Sequence, residues 1–110
     1  HYPYWFKVEQ SAEFLLGYLS RYEQKYHKPV MVCEVGGPEN EEEGTYQLLM
    51  NTMEALERLP DEKGLGVVYW EPEVASGLLP DKYFMGASRL VNEHTLQFTK
   101  ALSAYRDHEA

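Results

Sequence analysis

Apolar positions along the chain switch between helical spacing and short unbroken runs. Across residues 11–25 and just beyond, Leu15, Leu19, Tyr22 and Tyr26 recur every three to four positions, which predicts an amphipathic helix with that stripe as its core face. Pro29 forbids continuation, and Val30-Met31-Val32-Cys33 follows as a continuous apolar run ended by Glu34 and Gly36-Gly37-Pro38. Such a run suits a strand buried on both faces, as in a parallel sheet covered by helices. Asn40 and Glu43 have the spacing of a capping box, and Tyr46, Leu49, Met53 and Leu56 form a second helical stripe that Pro60 closes. After a turn at 61–64, Leu65-Gly66-Val67-Val68-Tyr69-Trp70 reads as a second strand, stopped by Glu71-Pro72. Gly77, Pro80 and Gly86 then mark an irregular stretch to about His94, long enough to suggest a functional loop. A third helix is expected over about residues 95–105, with Phe98, Leu102 and Tyr105 on one face.

The expected order is strand end, helix, strand, helix, strand, long loop, helix. That alternation belongs to parallel α/β architecture. Each unit takes about 35 residues and a closed eight-fold barrel roughly 250, so this chain supplies somewhat under half of one. No linker and no solenoid repeat interrupts it.

Composition narrows the partners. A net charge of −8 argues against a nucleic acid, because phosphate binding requires clustered positive charge. No apolar run approaches the roughly 20 residues of a membrane-spanning helix and no signal-peptide pattern opens the chain, so it is read as soluble, with no membrane partner. Nine Tyr, four Phe and two Trp suit a sugar-binding surface as well as an aromatic core. The single cysteine, Cys33, makes neither an internal disulfide nor a metal site by itself. His1, His27, His94 and His108 lack ligand spacing, and no metal or other cofactor is expected.

Candidate chemistry gathers at the three strand ends, Tyr2-Pro3-Tyr4-Trp5, Glu34-Val35-Gly36-Gly37-Pro38 and Tyr69-Trp70-Glu71-Pro72. In parallel α/β folds the carboxyl ends of strands present side chains to the active site. A carboxylate that directly follows a buried apolar run is costly unless it is hydrogen-bonded or used. By alternation, Cys33 should point away from Glu34 towards the covering helices. The acidic run from residue 39 to 43 reads as a solvated helix start favoured by the helix dipole.

Those motifs, with Lys28-Pro29-Val30-Met31-Val32-Cys33-Glu34-Val35-Gly36 and Gly66-Val67-Val68-Tyr69-Trp70-Glu71-Pro72, resemble in order and spacing the C-terminal part of glycoside hydrolase family 53, the arabinogalactan endo-β-1,4-galactanases. The resemblance implies that residues 1–110 are the C-terminal three βα units of a (β/α)8 TIM barrel, from the end of strand six to helix eight, within one catalytic domain. It also implies a retaining, endo-acting glycosidase that cleaves β-1,4-galactan, in an extracellular or cell-envelope setting. On that resemblance Glu34 matches the nucleophile and Trp70 the ring that floors the cleaved sugar's subsite. His1, Tyr2 and Trp5 fall in the strand-six loop as substrate-binding residues, with His1 or Tyr2 placed to hydrogen-bond Glu34. The family's acid/base glutamate sits in an Asn-Glu pair on strand four, upstream of His1, so the isolated chain is expected to be inactive and to self-associate through exposed strand edges. Some members bind calcium near the last loops, where Glu73 and Asp81 stand, but two scattered carboxylates do not predict a metal. The rival readings are another retaining barrel glycosidase, acting on β-mannan, β-glucan or a galactoside, and a non-catalytic α/β module that binds sugar or protein.

Overall fold

The computed structural model describes residues 8–78, 80 and 82–109. Its centre is a β-α-β unit. Strand β1 (Val30–Val35) pairs in parallel with β2 (Gly64–Tyr69), and helix α2 (Glu42–Glu57) connects them. Helix α1 (Ser11–Tyr26) packs beside α2, and the chain ends in helix α3 (Ser103–Glu109), also against α2. The core lies between the sheet and these helices: Leu15, Leu19, Val32, Val35, Leu48, Leu49, Leu56 and Tyr69 meet there, with Val35, Leu48 and Leu49 wholly buried. This is a mixed α/β architecture.

The buried face of α1 differs from the expected stripe. Ala12, Leu15, Leu19 and Glu23 turn inward, whereas Tyr22 and Tyr26 join Phe14 and Tyr18 in an exposed row at four-residue spacing. Four residues advance a helix by about 400°, so positions 15, 19 and 23 stay on one side and 14, 18, 22 and 26 on the next. Arg21 lies over the Tyr18 ring at 4.6 Å and Lys25 over the Tyr26 ring at 5.3 Å, which partly covers these rings from water. Glu23 is accommodated inside by Lys63, 2.7 Å away, an ion pair that ties the end of α1 to the start of β2.

Helix α2 begins at Glu42 rather than at an Asn40 cap. Asn40 is exposed and the first turn has no side-chain cap. The acidic residues stand at a largely exposed helix start, as expected, and two of them have a further use. Glu42 accepts from Arg89 at 2.7 Å and Glu43 from Lys100 at 2.6 Å, and these contacts dock the following hairpin against the helix. Asn51, buried in the middle of α2, donates to Val8 O at 2.8 Å and to Ser11 Oγ at 3.0 Å, which fixes the entry to α1.

The stretch after Trp70 is not irregular throughout. Strands β3 (Ser88–Asn92) and β4 (Thr95–Phe98) form an antiparallel hairpin where loop and helix were expected. Asn92 closes the turn between them, its Oδ1 accepting from His94 N–H at 2.9 Å. Phe98 therefore lies on a strand and is 60% exposed; only Leu102 and Tyr105 of the expected stripe reach the core. Helical geometry begins at Lys100, after Thr99 anchors to Ala87 O at 2.8 Å.

Candidate active site

The sheet has two unlike faces. Val32, Val35 and Tyr69 press into the helices, while Met31, Cys33, Glu34, Leu65, Val68 and Trp70 are exposed. The expectation of burial on both faces holds for one face only, because among the described residues the helices lie on a single side.

Regular alternation from Val32 would put Glu34 on the helix side. It does not end there, because β1 contains an extra residue. From Val32 to Val35 is three steps, but their partners Val67 and Tyr69 are two steps apart. The bulge lets Cys33 and Glu34 both leave the core before Val35 returns to it, and bulges commonly re-aim a side chain in this way. Cys33 is accordingly exposed rather than packed under the helices. A second irregularity compensates on β2, where Gly64 to Val67 takes three steps against two from Val30 to Val32. Gly66, at φ 144°, takes up that extra residue in a conformation that a side chain would strain. Leu65, Val68 and Trp70 consequently share the exposed face with Glu34.

The backbone past Glu34 is clamped from several directions. Val35 O accepts from Trp70 N–H at 2.9 Å. The Tyr69 side chain, on the helix side, donates its hydroxyl to Met85 O at 2.7 Å and accepts from Gly37 N–H at 3.4 Å. Burial away from water pushes the Tyr69 phenol up to about 12, against the lowering effect of the Gly37 N–H, so it stays a neutral donor at physiological pH. Glu39 N–H donates to Phe84 O at 2.8 Å, and the Glu39 carboxylate accepts from Ser76 N–H at 3.0 Å and from the Ser76 hydroxyl. The loop of residues 71–87 is thereby fastened to the segment that follows the Glu34 strand. Sequence patterns did not single out Tyr69, Glu39 or Ser76 for this role. The alternation of Tyr69 with Trp70 was the one available signal.

Trp70 stands at the carboxyl end of β2, 47% exposed. Glu71 follows with φ 51°, an uncommon conformation for a residue with a side chain, and turns the chain sharply so that Val74 N–H reaches Glu71 O at 3.3 Å. His1, Tyr2 and Trp5 lie outside the described residues, as does Asp81. Among the described residues no cluster of His, Cys, Asp or Glu is arranged to hold a metal. A cavity of about 370 Å³ opens at the opposite end of the sheet, lined by Met53, Leu56, Leu65, Val67, Tyr105 and His108. It is remote from the strand carboxyl ends, so size alone does not make it the active site. No described helix is long and apolar enough to cross a membrane.

The geometry leaves a carboxylate and an indole on one open face, with a neutral phenol fixing the backbone behind them. A carboxylate in that setting is suited to nucleophilic or general-base chemistry on a neutral substrate that stacks on an aromatic ring. The sequence model of the family described as Glycosyl hydrolase family 53 matches residues 1–105. Among curated proteins none matches the chain.

Proposed function

Because the chain belongs to glycosyl hydrolase family 53 and is thus of a glycosidase family, we propose that it forms the C-terminal three βα units of a (β/α)8 barrel that hydrolyses β-1,4-galactan with retention. Glu34 is the nucleophile and Trp70 the platform for the sugar at the cleavage point. The observation that carries this reading is the β1 bulge, which turns Glu34 to the open face that Trp70 shares. His1, Tyr2 and Trp5, outside the described residues, are the further sugar-binding residues of this reading.

Retention requires two carboxylates about 5 Å apart, one attacking the anomeric carbon as the other protonates the departing oxygen and then activates water. The second carboxylate comes from the upstream Asn-Glu pair, so these 110 residues alone do not turn over galactan. Below Glu34 and Trp70, which stay open at the barrel mouth, the apolar positions of this face and the outer strand edges are covered by the remaining barrel strands. Without them the isolated chain associates through its edges, and a monomeric sedimentation profile of the bare chain would count against this part. A polymeric substrate places the enzyme outside the cell or in the cell envelope.

The test is a pair of measurements on the protein carrying both carboxylates. Glu34→Gln should lower kcat on galactan by roughly 10⁴-fold or more, as loss of a nucleophile does, and leave galactan binding intact. An activated 2-deoxy-2-fluorogalactoside should label a single peptide, the one containing Glu34. Label on another carboxylate, or turnover retained in Glu34→Gln, overturns the assignment.

A further inference from the structure

We propose that Tyr69 is a positioning residue for Glu34, an inference that rests on the nucleophile reading above. Glu34 sits in a bulge, where the sheet ladder no longer dictates the direction of its side chain. Besides any contact of the carboxylate itself, its aim therefore depends on what holds the backbone on the far side of the bulge. Val35 is wholly buried and hydrogen-bonded to Trp70 N–H, and the next fastening is the long contact from Gly37 N–H to the Tyr69 hydroxyl. That hydroxyl in turn donates to Met85 O, in the loop that follows Trp70.

One phenol oxygen thus joins the segment after the nucleophile to the loop of residues 71–87. It does so from the helix side of the sheet, where Tyr69 is 7% exposed and out of reach of a sugar on the open face. Both partners are main-chain groups, so neither can find a substitute by changing rotamer. Tyr69→Phe leaves Gly37 N–H and Met85 O without this partner while it preserves the ring that fills the core. The bulge and the loop then settle independently. Displacement of about 1 Å at a reacting group costs on the order of 100-fold in rate.

The matched control is Tyr105→Phe. Tyr105 also donates a part-buried hydroxyl to the main chain of β2, at Val67 O and 3.3 Å, and its oxygen accepts from Tyr69 N–H, but these bonds are made to β2 itself and join it neither to the segment after Glu34 nor to the loop of residues 71–87. In the protein carrying both catalytic carboxylates, Tyr69→Phe should lower kcat on galactan by roughly 10- to 100-fold with KM changed less than about threefold. The labelling rate of Glu34 by the fluorogalactoside, per folded molecule, should fall in parallel. Tyr105→Phe should lower the unfolding midpoint and leave both rates near wild type. Equal kinetic losses in the two variants, or a Tyr69→Phe enzyme with unchanged kcat and labelling rate, overturn the positioning role. The location of the label keeps the two readings apart. Label on Glu34 with no effect of Tyr69→Phe rejects only the positioning role, whereas label elsewhere rejects the nucleophile itself.

Discussion

Gly86→Ala puts a single methyl group where two stretches of main chain meet. A Cβ on Gly86 falls 1.9 Å from Val74 O, 2.9 Å from Val74 C and 3.2 Å from Glu71 O. Carbon and carbonyl oxygen rest at about 3.3 Å or more, so the two segments must part by over 1 Å. Neither side yields easily. The residues flanking Gly86 are held through Met85 O by Tyr69 and through Ala87 N–H by Pro72 O at 2.9 Å, and Val74 is 7% exposed. Overpacking of this kind costs about 1–3 kcal/mol, and loss of the Ala87 hydrogen bond adds about 1 kcal/mol, which gives an expected destabilisation of about 2–4 kcal/mol. Gly17→Ala is the control, since a Cβ there meets nothing within 4 Å inside helix α1. It should stabilise by about 0.5–1 kcal/mol through the unfolded state. Urea unfolding should move the Gly86→Ala midpoint down by about 1 M or more and the Gly17→Ala midpoint slightly up. Equal midpoints for Gly86→Ala and the parent would refute the close approach of the two loop segments.

Two further outcomes follow from the same geometry. Tyr69 has its ionisation raised from 10.0 to about 12 in the folded state, so its contribution is complete below pH 10 and is lost as pH rises towards 12. Urea melts at pH 9 and 11 should show stability falling by up to about 1.4 kcal/mol per pH unit from this group, a component that Tyr69→Phe removes; Tyr105, shifted the same way by burial, retains its own. Cys33 is exposed on the open face. If the proposed barrel forms, a thiol reagent should modify it readily in the bare chain and on the order of 100-fold more slowly in the protein that carries the remaining strands, where only local opening would expose it. Equal rates in the two would remove the case that barrel strands cover this face.

Much of the frame was legible from pattern. The run at Val30 and the run at Leu65 became β1 and β2, paired in parallel, and the stripe Tyr46, Leu49, Met53 and Leu56 faces the core. Proline and glycine marked where these elements stop, because their backbone limits are local. The motifs around Glu34 and Trp70 pointed to the family whose sequence model covers residues 1–105. Mistakes arose where two patterns overlap. Tyr22 and Tyr26 lie one position from the true buried line of α1, and a tyrosine counts as apolar in either place. The Thr95–Phe98 segment is too short to separate strand from helix by period, and its pairing with Ser88–Asn92 decided the matter.

The sequence by itself determined the family, where β1 and β2 end and which candidate residues stand near those ends. Tertiary structure decided which way they point. Alternation assigned Cys33 and Glu34 to opposite faces, but pairing with β2 holds an extra residue in β1 and sends both to the open side. The clamp of Tyr69, Glu39 and Ser76 on loop 71–87 likewise joins groups that are 16 and 37 positions apart. A bulge is a mismatch between two strands, and a clamp is a contact between two loops. Each arises from the relation of one segment to another, which periodicity within a single segment does not encode.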